Sequence, residues 1–366
     1  MKLIIKSLLI AIALTCSAQI AVAEENVVHV YNWSDYIDED EQVNANFTAA
    51  TGIKVVYDVF DSNEVLEAKL LAGGSGYDVV VPSAGFLARQ IQAGVFQKLD
   101  KSKLPNIGNM WDVVEQRVEQ YGPLNEYSVN WHWGTTGIGY NEGMINERME
   151  NAPTTSLAMI FDPDVVSKFA DCGVHLLNAP TEIIPAALAY IGEDPSTTDA
   201  EVLKKAEPVI EKIRPYIQKF HSSQYIDALA NGDICLVIGW SGDIFMAQYA
   251  AWDAENGVEI VYAIPDEGAL MWFDQLAIPK DAPHPDNAHQ YINWTMDPEQ
   301  IALATNWVWY ANGNLASQPL LDEELFNDPA VYPTPEVLEG LYTVPTYDAA
   351  TQRVVTRLWT KITTGY

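Results

Sequence analysis

Residues 27–94 read VVHVYNWSDYIDEDEQVNANFTAATGIKVVYDVFDSNEVLEAKLLAGGSGYDVVVPSAGFLARQIQAG, and this stretch determines the fold class. Short β-branched apolar runs alternate in it with longer runs of helical spacing that end at glycine. This alternation indicates an α/β fold with a mostly parallel sheet covered by helices on both faces. The predicted strands are Val27–Tyr31, Ile53–Val59 and Asp78–Pro82, and the predicted helices are Asp40–Ala50, Ser62–Ala72 and Phe86–Ala93.

The second of these helices carries a start signal. Asp61 is followed three residues later by Glu64, which predicts a capping box. A further block of strands and helices begins near Thr135, and its clearest strand is Ile234–Trp240. The segments between the two blocks contain no Ser/Gly or Pro tract, so we expect two α/β lobes joined by short strands.

The composition of the chain indicates which classes of ligand or partner it can bind. The chain has 366 residues, 48% of them apolar, with 20 basic against 50 acidic side chains and a net charge of −30. This length allows two or three domains, each with its own core. No basic surface is available to neutralise phosphates, so nucleic acid and anionic membranes are poor partners and a cation is a better one. The alternative is that the acidity serves only solubility.

The N-terminus predicts export. Residues 1–23 have a basic start, a short apolar middle and the small-residue end Ala21-Val22-Ala23, which is typical of a signal peptide cleaved after Ala23. No later stretch of about 20 apolar residues predicts a membrane span. Cys172 and Cys235 remain after cleavage, and an even pair in an exported chain predicts one disulfide. Two buried free thiols are the alternative.

Aromatic and acidic residues recur together where predicted strands end. Ligands of open α/β sheets bind beyond the carboxyl ends of the strands, so these segments predict a binding groove. An aromatic face attracts a cation by about 0.5–2 kcal/mol, and a charged hydrogen bond adds about 1.5–3 kcal/mol. A polyamine offers both chemistries, whereas each tryptophan taken alone is more often a core residue. The segments at strand ends are Asn32–Tyr36, Pro82–Ala84 and Trp240–Asp243, and Trp272–Asp274 adds another aromatic and acidic pair.

Catalytic and metal-binding patterns are weak. The two nearest approaches to a serine nucleophile elbow, at Gly73–Gly76 and Gly239–Gly242, have the wrong spacing. The six histidines form no H-x-x-x-H pattern, so no metal site and no cofactor are predicted. The rival function is a secreted hydrolase acting on carbohydrate, motivated by the 11 tryptophans and the many carboxylates.

Several longer runs carry a resemblance to a known family. The chain resembles the periplasmic polyamine-binding proteins of ABC importers and is most similar to their putrescine-binding branch. The resemblance covers nearly all of the chain after the signal peptide. The runs are Val30–Tyr36, Gly52–Glu64, Val80–Ser83, Gly137–Asn141, His221–Tyr225 and Asn231–Cys235.

The resemblance implies a type II clamshell that closes on one polyamine without reacting with it and presents it to a membrane permease. It implies that Trp33, Tyr36, Trp240, Trp272 and Tyr310 stack on the ligand, that Asp243, Asp274 and Glu182 meet ammonium groups, and that Cys172 pairs with Cys235. The implied ligand-contacting positions are Trp33, Ser34, Asp35, Tyr36, Ser83, Glu182, Trp240, Asp243, Trp272, Asp274 and Tyr310.

We therefore expect lobe 1 to comprise residues 26–135 and 263–310, and lobe 2 residues 136–262 and 311–366. The expected function is a periplasmic, monomeric receptor that binds putrescine and is not an enzyme. A spermidine preference is the alternative, because the putrescine branch commonly has Phe where this chain has Trp272 and a second acid where it has Thr181. A clamshell that senses ligand for a signalling partner is a further alternative.

Overall fold

The computed structural model describes residues 26–34, 36–37 and 42–364. The predicted signal peptide and Asp35 lie outside these residues. Ten strands and seventeen α-helices lie within the described ranges. The strands are β1 (Val27–Trp33), β2 (Lys54–Phe60), β3 (Val79–Val80), β4 (Ser128–Asn141), β5 (Val174–Leu176), β6 (Lys219–Phe220), β7 (Leu236–Trp240), β8 (Ile260–Ala263), β9 (Leu270–Ala277) and β10 (Ala311–Asn312).

The helices flank the sheet. They are α1 (Gln42–Thr51), α2 (Asn63–Ala72), α3 (Ala84–Gln92), α4 (Asp112–Val118), α5 (Glu142–Arg148), α6 (Ala158–Phe161), α7 (Pro163–Val166), α8 (Pro180–Tyr190), α9 (Ala200–Leu203), α10 (Ala206–Ile213), α11 (Tyr225–Ala230), α12 (Ser241–Asp253), α13 (Pro285–Thr295), α14 (Pro298–Val308), α15 (Glu323–Asn327), α16 (Pro335–Gly340) and α17 (Ala349–Thr364).

The strands form one mixed sheet in the order β2-β1-β3-β9-β4-β7-β5-β6, and β8 and β10 also pair with β4. The pairs at the two ends, β1 with β2 and β3, and β5 with β6 and β7, are parallel. Every pair that includes β4 is antiparallel, as is β3 with β9. The predicted parallel groups are therefore present at either end, and an antiparallel centre joins them.

The strand β4 makes this connection because it is fourteen residues long and buried throughout. From Ser128 to Thr136 it pairs with β9, and from Thr136 to Asn141 it pairs with β7 and β8. The second block of the sequence, expected to begin near Thr135, thus starts in the middle of a continuous strand.

Local details differ from the sequence expectations at two places. The N-cap of α2 is Ser62 and not Asp61, since the Ser62 hydroxyl accepts a hydrogen bond from the Val65 amide at 3.4 Å. The third strand is only Val79–Val80, because Asp78 accepts hydrogen bonds from the amides of His29 and His284 through its carboxylate, and Pro82 has no amide hydrogen to donate.

The disulfide predicted from the cysteine count is confirmed. Cys172 and Cys235 are bonded, with their Cα atoms 5.5 Å apart. They precede the neighbouring parallel strands β5 and β7, so the bond ties the starts of these strands together. No helix in the described part of the chain is long and apolar enough to cross a membrane.

Candidate ligand-binding cleft

A cleft opens at the carboxyl ends of β1, β2 and β7, next to β9, and contains about 470 Å³ of space, part of it open to solvent. Residues from both parallel groups line it, so the cleft lies between the two halves of the sheet. The lining residues are Trp33, Ser34, Tyr36, Asp61, Asn63, Ser83, Glu182, Ser222, Ser223, Trp240, Asp243, Trp272, Asp274 and Tyr310.

The structure brings together ten of the eleven residues that the resemblance implies as ligand contacts. The eleventh, Asp35, lies outside the described residues. None of the lining residues in the described part of the chain is a lysine, an arginine or a histidine. The cleft therefore presents carboxyl groups, hydroxyls and aromatic rings, and its ligand contacts remain a prediction.

Asp274 lies on β9 and is 2% exposed. Its carboxylate accepts hydrogen bonds from the Ser83 hydroxyl at 2.6 Å and from the Tyr36 hydroxyl. Burial raises the pKa of Asp274 to about 7, although these two hydrogen bonds favour the ionised form. Each carboxylate oxygen keeps a lone pair for a further donor.

Ser83 connects Asp274 to α2. Its amide donates to the Asn63 side-chain carbonyl at 3.0 Å, and its hydroxyl accepts from the Asn63 amide group at 2.9 Å. This pairing directs the hydroxyl hydrogen of Ser83 toward Asp274. Asn63 is thus a positioning residue that the sequence analysis did not single out.

Asp243 lies in the first turn of α12, directly after β7. Its two carboxylate oxygens accept hydrogen bonds from the hydroxyls of Tyr225 and Tyr310, both at 2.6 Å. The acidic group sits at the positive end of the helix dipole, which stabilises its charge. The first turn of α12 and the two tyrosine hydroxyls therefore hold the Asp243 carboxylate in a fixed position in the cleft.

Glu182 supplies the third acid from the first turn of α8. The Thr136 hydroxyl of β4 donates to its carboxylate at 2.6 Å. Burial, with a smaller contribution from the charges of Asp274 and Glu64, raises the pKa of Glu182 to about 7, although the hydrogen bond from Thr136 favours the ionised form. The carboxyl groups of Glu182 and Asp274 thus share a site in which a cation would stabilise both ionised forms.

Aromatic rings separate the acids. The rings of Trp33 and Trp240 meet edge to face with centroids 5.8 Å apart, and those of Trp272 and Tyr310 do so at 5.0 Å. The Trp33 indole donates to the Val81 carbonyl at 2.9 Å, which fixes that ring at the end of β1. The edge-to-face contacts leave ring faces available to the space between them.

Two glycines make room for these rings. A Cβ atom on Gly134 would lie 2.7 Å from the Trp272 ring, and one on Gly242 would lie 2.6 Å from the Tyr310 ring. Contacts this short cannot be accommodated without movement of the ring or the backbone. Gly242 thereby allows Tyr310 to reach Asp243.

Four lining residues, Asp61, Asn63, Ser222 and Ser223, were missed as site residues. Asp61 and Asn63 follow β2, and Ser222 and Ser223 follow β6. The rule that ligands bind beyond strand carboxyl ends would have selected all four had it been applied to those strands. In the described residues, no group of three or more His, Cys, Asp or Glu side chains is arranged to hold a metal ion.

Comparison with known proteins identifies the family of the chain. A profile described as bacterial extracellular solute-binding protein matches residues 42–334. The chain belongs to this family. The predicted class, a receptor and not an enzyme, is confirmed, and the alternative of a secreted hydrolase is wrong.

Individual relatives are similar over almost the whole chain. The chain is 52% identical to the putrescine-binding periplasmic protein SpuD of Pseudomonas aeruginosa, over 97% of each chain. It is 47% identical to the putrescine-binding periplasmic protein PotF of Escherichia coli, over 94% of this chain and 93% of that one.

A solved structure supports the same architecture. The substrate-binding protein PotD of a spermidine/putrescine ABC transporter from Streptococcus pneumoniae matches with a TM-score of 0.73 and 27% identity, over 92% of this chain and 98% of that one. The α/β clamshell of type II predicted from the sequence is thereby confirmed.

Proposed function

We propose that this protein is a receptor that binds a polyamine, putrescine foremost, in the cleft and delivers it to the permease of an ABC importer. One observation carries the proposal: Asp243, Asp274 and Glu182 converge among aromatic rings in a cleft whose described lining contains no basic side chain. The names of the relatives, putrescine-binding and spermidine/putrescine-binding, point to the same ligand class.

The chemistry of a diamine matches the cleft. Its two ammonium groups are donors without acceptors, and the carboxylates offer acceptors without donors when ionised. Its methylene chain would lie against exposed ring faces such as those of Trp33 and Trp240, and cation–π attraction of its ammonium groups adds about 0.5–2 kcal/mol for each good contact. A few such contacts reach the roughly 8 kcal/mol that micromolar binding requires.

Closure of two lobes around the ligand follows from the location of its contacts. Trp33, Tyr36 and Ser83 belong to the first predicted lobe, and Glu182, Trp240 and Asp243 to the second. A ligand that needs both sets favours the closed form, because only that form offers all of its contacts. A permease that recognises the closed form would then receive only loaded protein.

The lobe limits are part of the proposal. Residues 26–135 and 263–310 form lobe 1 in this scheme. Ala311 and Asn312 pair with Trp133 and His132 of β4, which supports extending the returning segment of lobe 1 a little beyond Tyr310. The helix α17 packs on α8, α9 and α10, which supports its place in lobe 2.

We also propose that the protein works in the periplasm as a monomer, after cleavage of the signal peptide following Ala23, and that it binds no nucleic acid. The relatives are named as periplasmic proteins. The net charge of −30 opposes binding to phosphate backbones.

Titration calorimetry with putrescine, cadaverine, spermidine and spermine tests the proposal, with glucose as a neutral ligand that can stack on tryptophan. We expect one site per chain, micromolar or tighter binding of putrescine, and no heat from glucose. No binding of any of the four amines would refute the proposed function.

A further inference from the structure

A second chamber adjoins the cleft and contains about 510 Å³ of space. It shares four lining residues with the cleft, Asn63, Ser83, Glu182 and Trp272. The cleft thus continues past Ser83 and Glu182 into this chamber. A ligand longer than a diamine, with one ammonium near Asp274, would extend its next segment here.

The walls of the second chamber differ in chemistry from those of the cleft. Phe86, Leu270, Phe273, Val344 and Pro345 give it an apolar lining, and Tyr121 and Tyr347 add aromatic rings. Among its described lining residues, Glu182 and Arg89 are the only charged ones. Glu182 lines both the cleft and the second chamber, whereas Arg89 lines only the second chamber. A ligand that extends past Glu182 would therefore approach Arg89.

Arg89 is held in place by three contacts. Its guanidinium makes a two-point hydrogen bond with the Glu67 carboxylate, with both N to O distances at 2.6 Å. It lies over the Phe86 ring at 3.8 Å from the centroid, and it donates to the Gln352 side-chain carbonyl on α17 at 3.4 Å. A guanidinium so constrained cannot swing away from an approaching cation.

We propose that Arg89 is a specificity-determining residue that makes this protein select diamines over triamines. This inference rests on the proposed function, because it names the polyamine that the same cleft prefers. A third ammonium in the second chamber would lose its water, find no carboxylate in the chamber lining other than Glu182, and face the guanidinium of Arg89, whose partner Glu67 lies outside the lining. A diamine ends within the cleft and avoids all three costs.

Glu67 is the partner that Arg89 occupies fully. Both of its carboxylate oxygens are occupied by Arg89, and Glu67 does not itself line the chamber. Removal of the guanidinium would therefore do two things: it would remove the repulsion and free an acid for the third ammonium. Spermidine should gain from such a change, and putrescine should gain much less.

Calorimetry with spermidine and putrescine on wild type and Arg89→Leu tests the inference. We expect the wild type to bind putrescine more tightly, and the substitution to shift the ratio of the two affinities toward spermidine by about tenfold. Arg89→Lys keeps the charge and should keep the wild-type ratio. Arg89→Gln, which retains a polar partner for Glu67, should shift it in the same direction as Arg89→Leu if the leucine variant folds poorly.

A matched control is available in the other lobe. Arg148 makes the same two-point contact with Asp171, at 2.9 and 2.8 Å, far from either chamber in sequence and lining neither of them. Arg148→Leu removes one positive charge from the protein and should leave the affinity ratio within twofold of wild type.

Three results would overturn the inference and leave the proposed function standing. They are a wild type that binds spermidine more tightly than putrescine, a ratio unchanged in both Arg89→Leu and Arg89→Gln, and loss of spermidine binding in Asp61→Asn with no effect of Arg89. The last would show that the longer ligand extends toward Asp61 at the cleft mouth. Absence of binding by either amine would refute the proposed function itself.

Discussion

The carboxyl groups of the buried Asp274 and the partly buried Glu182 have no basic partner in the described lining of the cleft, and this fact governs how binding should respond to pH. Burial raises the pKa of each to about 7. A bound dication stabilises the ionised forms and lowers both pKa values, so ligand binding and proton release are coupled.

We therefore expect the affinity for putrescine to fall as the pH drops below about 7 and to change little above about 8. The protonated carboxyl groups can no longer accept from an ammonium, while the ligand keeps its charge throughout. Calorimetry between pH 5 and pH 8, in buffers of different ionisation enthalpy, measures both the affinity and the protons released. Affinity that is flat over this range would contradict the assignment of these two acids to the ligand.

The burial of Asp274, which we expect to serve ligand binding, should lower the stability of the protein without ligand. Because its pKa is higher in the folded protein than the usual 3.8, the folded state holds the proton more tightly, and the stability of the empty protein declines as the pH rises from about 4 to 7. Asp274→Asn removes this cost. We expect the variant to melt at a higher temperature than wild type at pH 7 without ligand.

Asp274→Asn and Asp243→Asn should each weaken putrescine binding by about 2–5 kcal/mol, since each leaves an ammonium without its charged partner. Calorimetry gives the affinity and a thermal melt gives the stability. Asp286→Asn, which alters an acid outside the cleft, is the matched control and should bind as wild type does. Unchanged affinity in both cleft variants would show that other acids hold the ligand.

Helix α12 follows β7 directly and forms one wall of the cleft, and Gly242 in its first turn packs closely against Tyr310. A Cβ atom there would lie 2.6 Å from both the Tyr310 ring and the Val308 carbonyl oxygen. We expect Gly242→Ala to displace Tyr310 from Asp243, to destabilise the fold by about 1–3 kcal/mol and to weaken binding.

Gly108→Ala is the control for this substitution, because a Cβ atom there would meet nothing within 4 Å. Denaturant unfolding and calorimetry on the two variants separate the effects. If Gly242→Ala binds putrescine and unfolds like Gly108→Ala, the close approach of α12 to Tyr310 contributes to neither stability nor binding.

The disulfide links the starts of β5 and β7 and closes a loop with a sequence separation of 63. The chain-entropy relation predicts that its removal costs about 4 kcal/mol of unfolding free energy. Cys172→Ala with Cys235→Ala should therefore lower the denaturant midpoint and leave putrescine affinity near the wild-type value, because neither cysteine lines the cleft. An affinity loss larger than tenfold in a folded double variant would contradict a purely structural role.

Local patterns in the sequence located most of the elements near the cleft. Strand β1, helix α2 and strand β7 lie within two residues of their predicted limits at most ends, because hydrophobic period and glycine stops are local signals. The cap at Ser62 and the short β3 were not predictable in this way. The cap rests on which of two adjacent side chains, Asp61 or Ser62, reaches the Val65 amide, and β3 is shortened where the Asp78 carboxylate accepts a hydrogen bond from the distant His284 amide.

The cleft itself is a product of distant contacts. Asp274 meets Ser83 across 191 residues and Tyr36 across 238, since β9 returns from the second half of the chain to lie between β3 and β4. Spacing alone indicated that aromatic and acidic segments lay at strand ends. The resemblance to a family, and not the spacing, indicated which of them share one site.

The arrangement of β4 connects the two halves of the molecule to the ligand. Trp272 and Asp274 on β9, and Trp240 at the end of β7, flank the same long strand from its two partners. We expect a rotation of the halves about this region to separate Trp33 from Trp240, whose rings meet edge to face across the cleft. Ligand capture and closure are therefore one event in this account.

A crystal structure of the protein grown with putrescine tests the central claim most directly. We expect the diamine in the cleft, with its methylene chain against the rings of Trp33 and Trp240 and its ammonium groups within hydrogen-bond distance of carboxylates that include Asp243 or Asp274. A diamine bound elsewhere on the chain, or an ordered complex in which neither acid contacts it, would contradict the account.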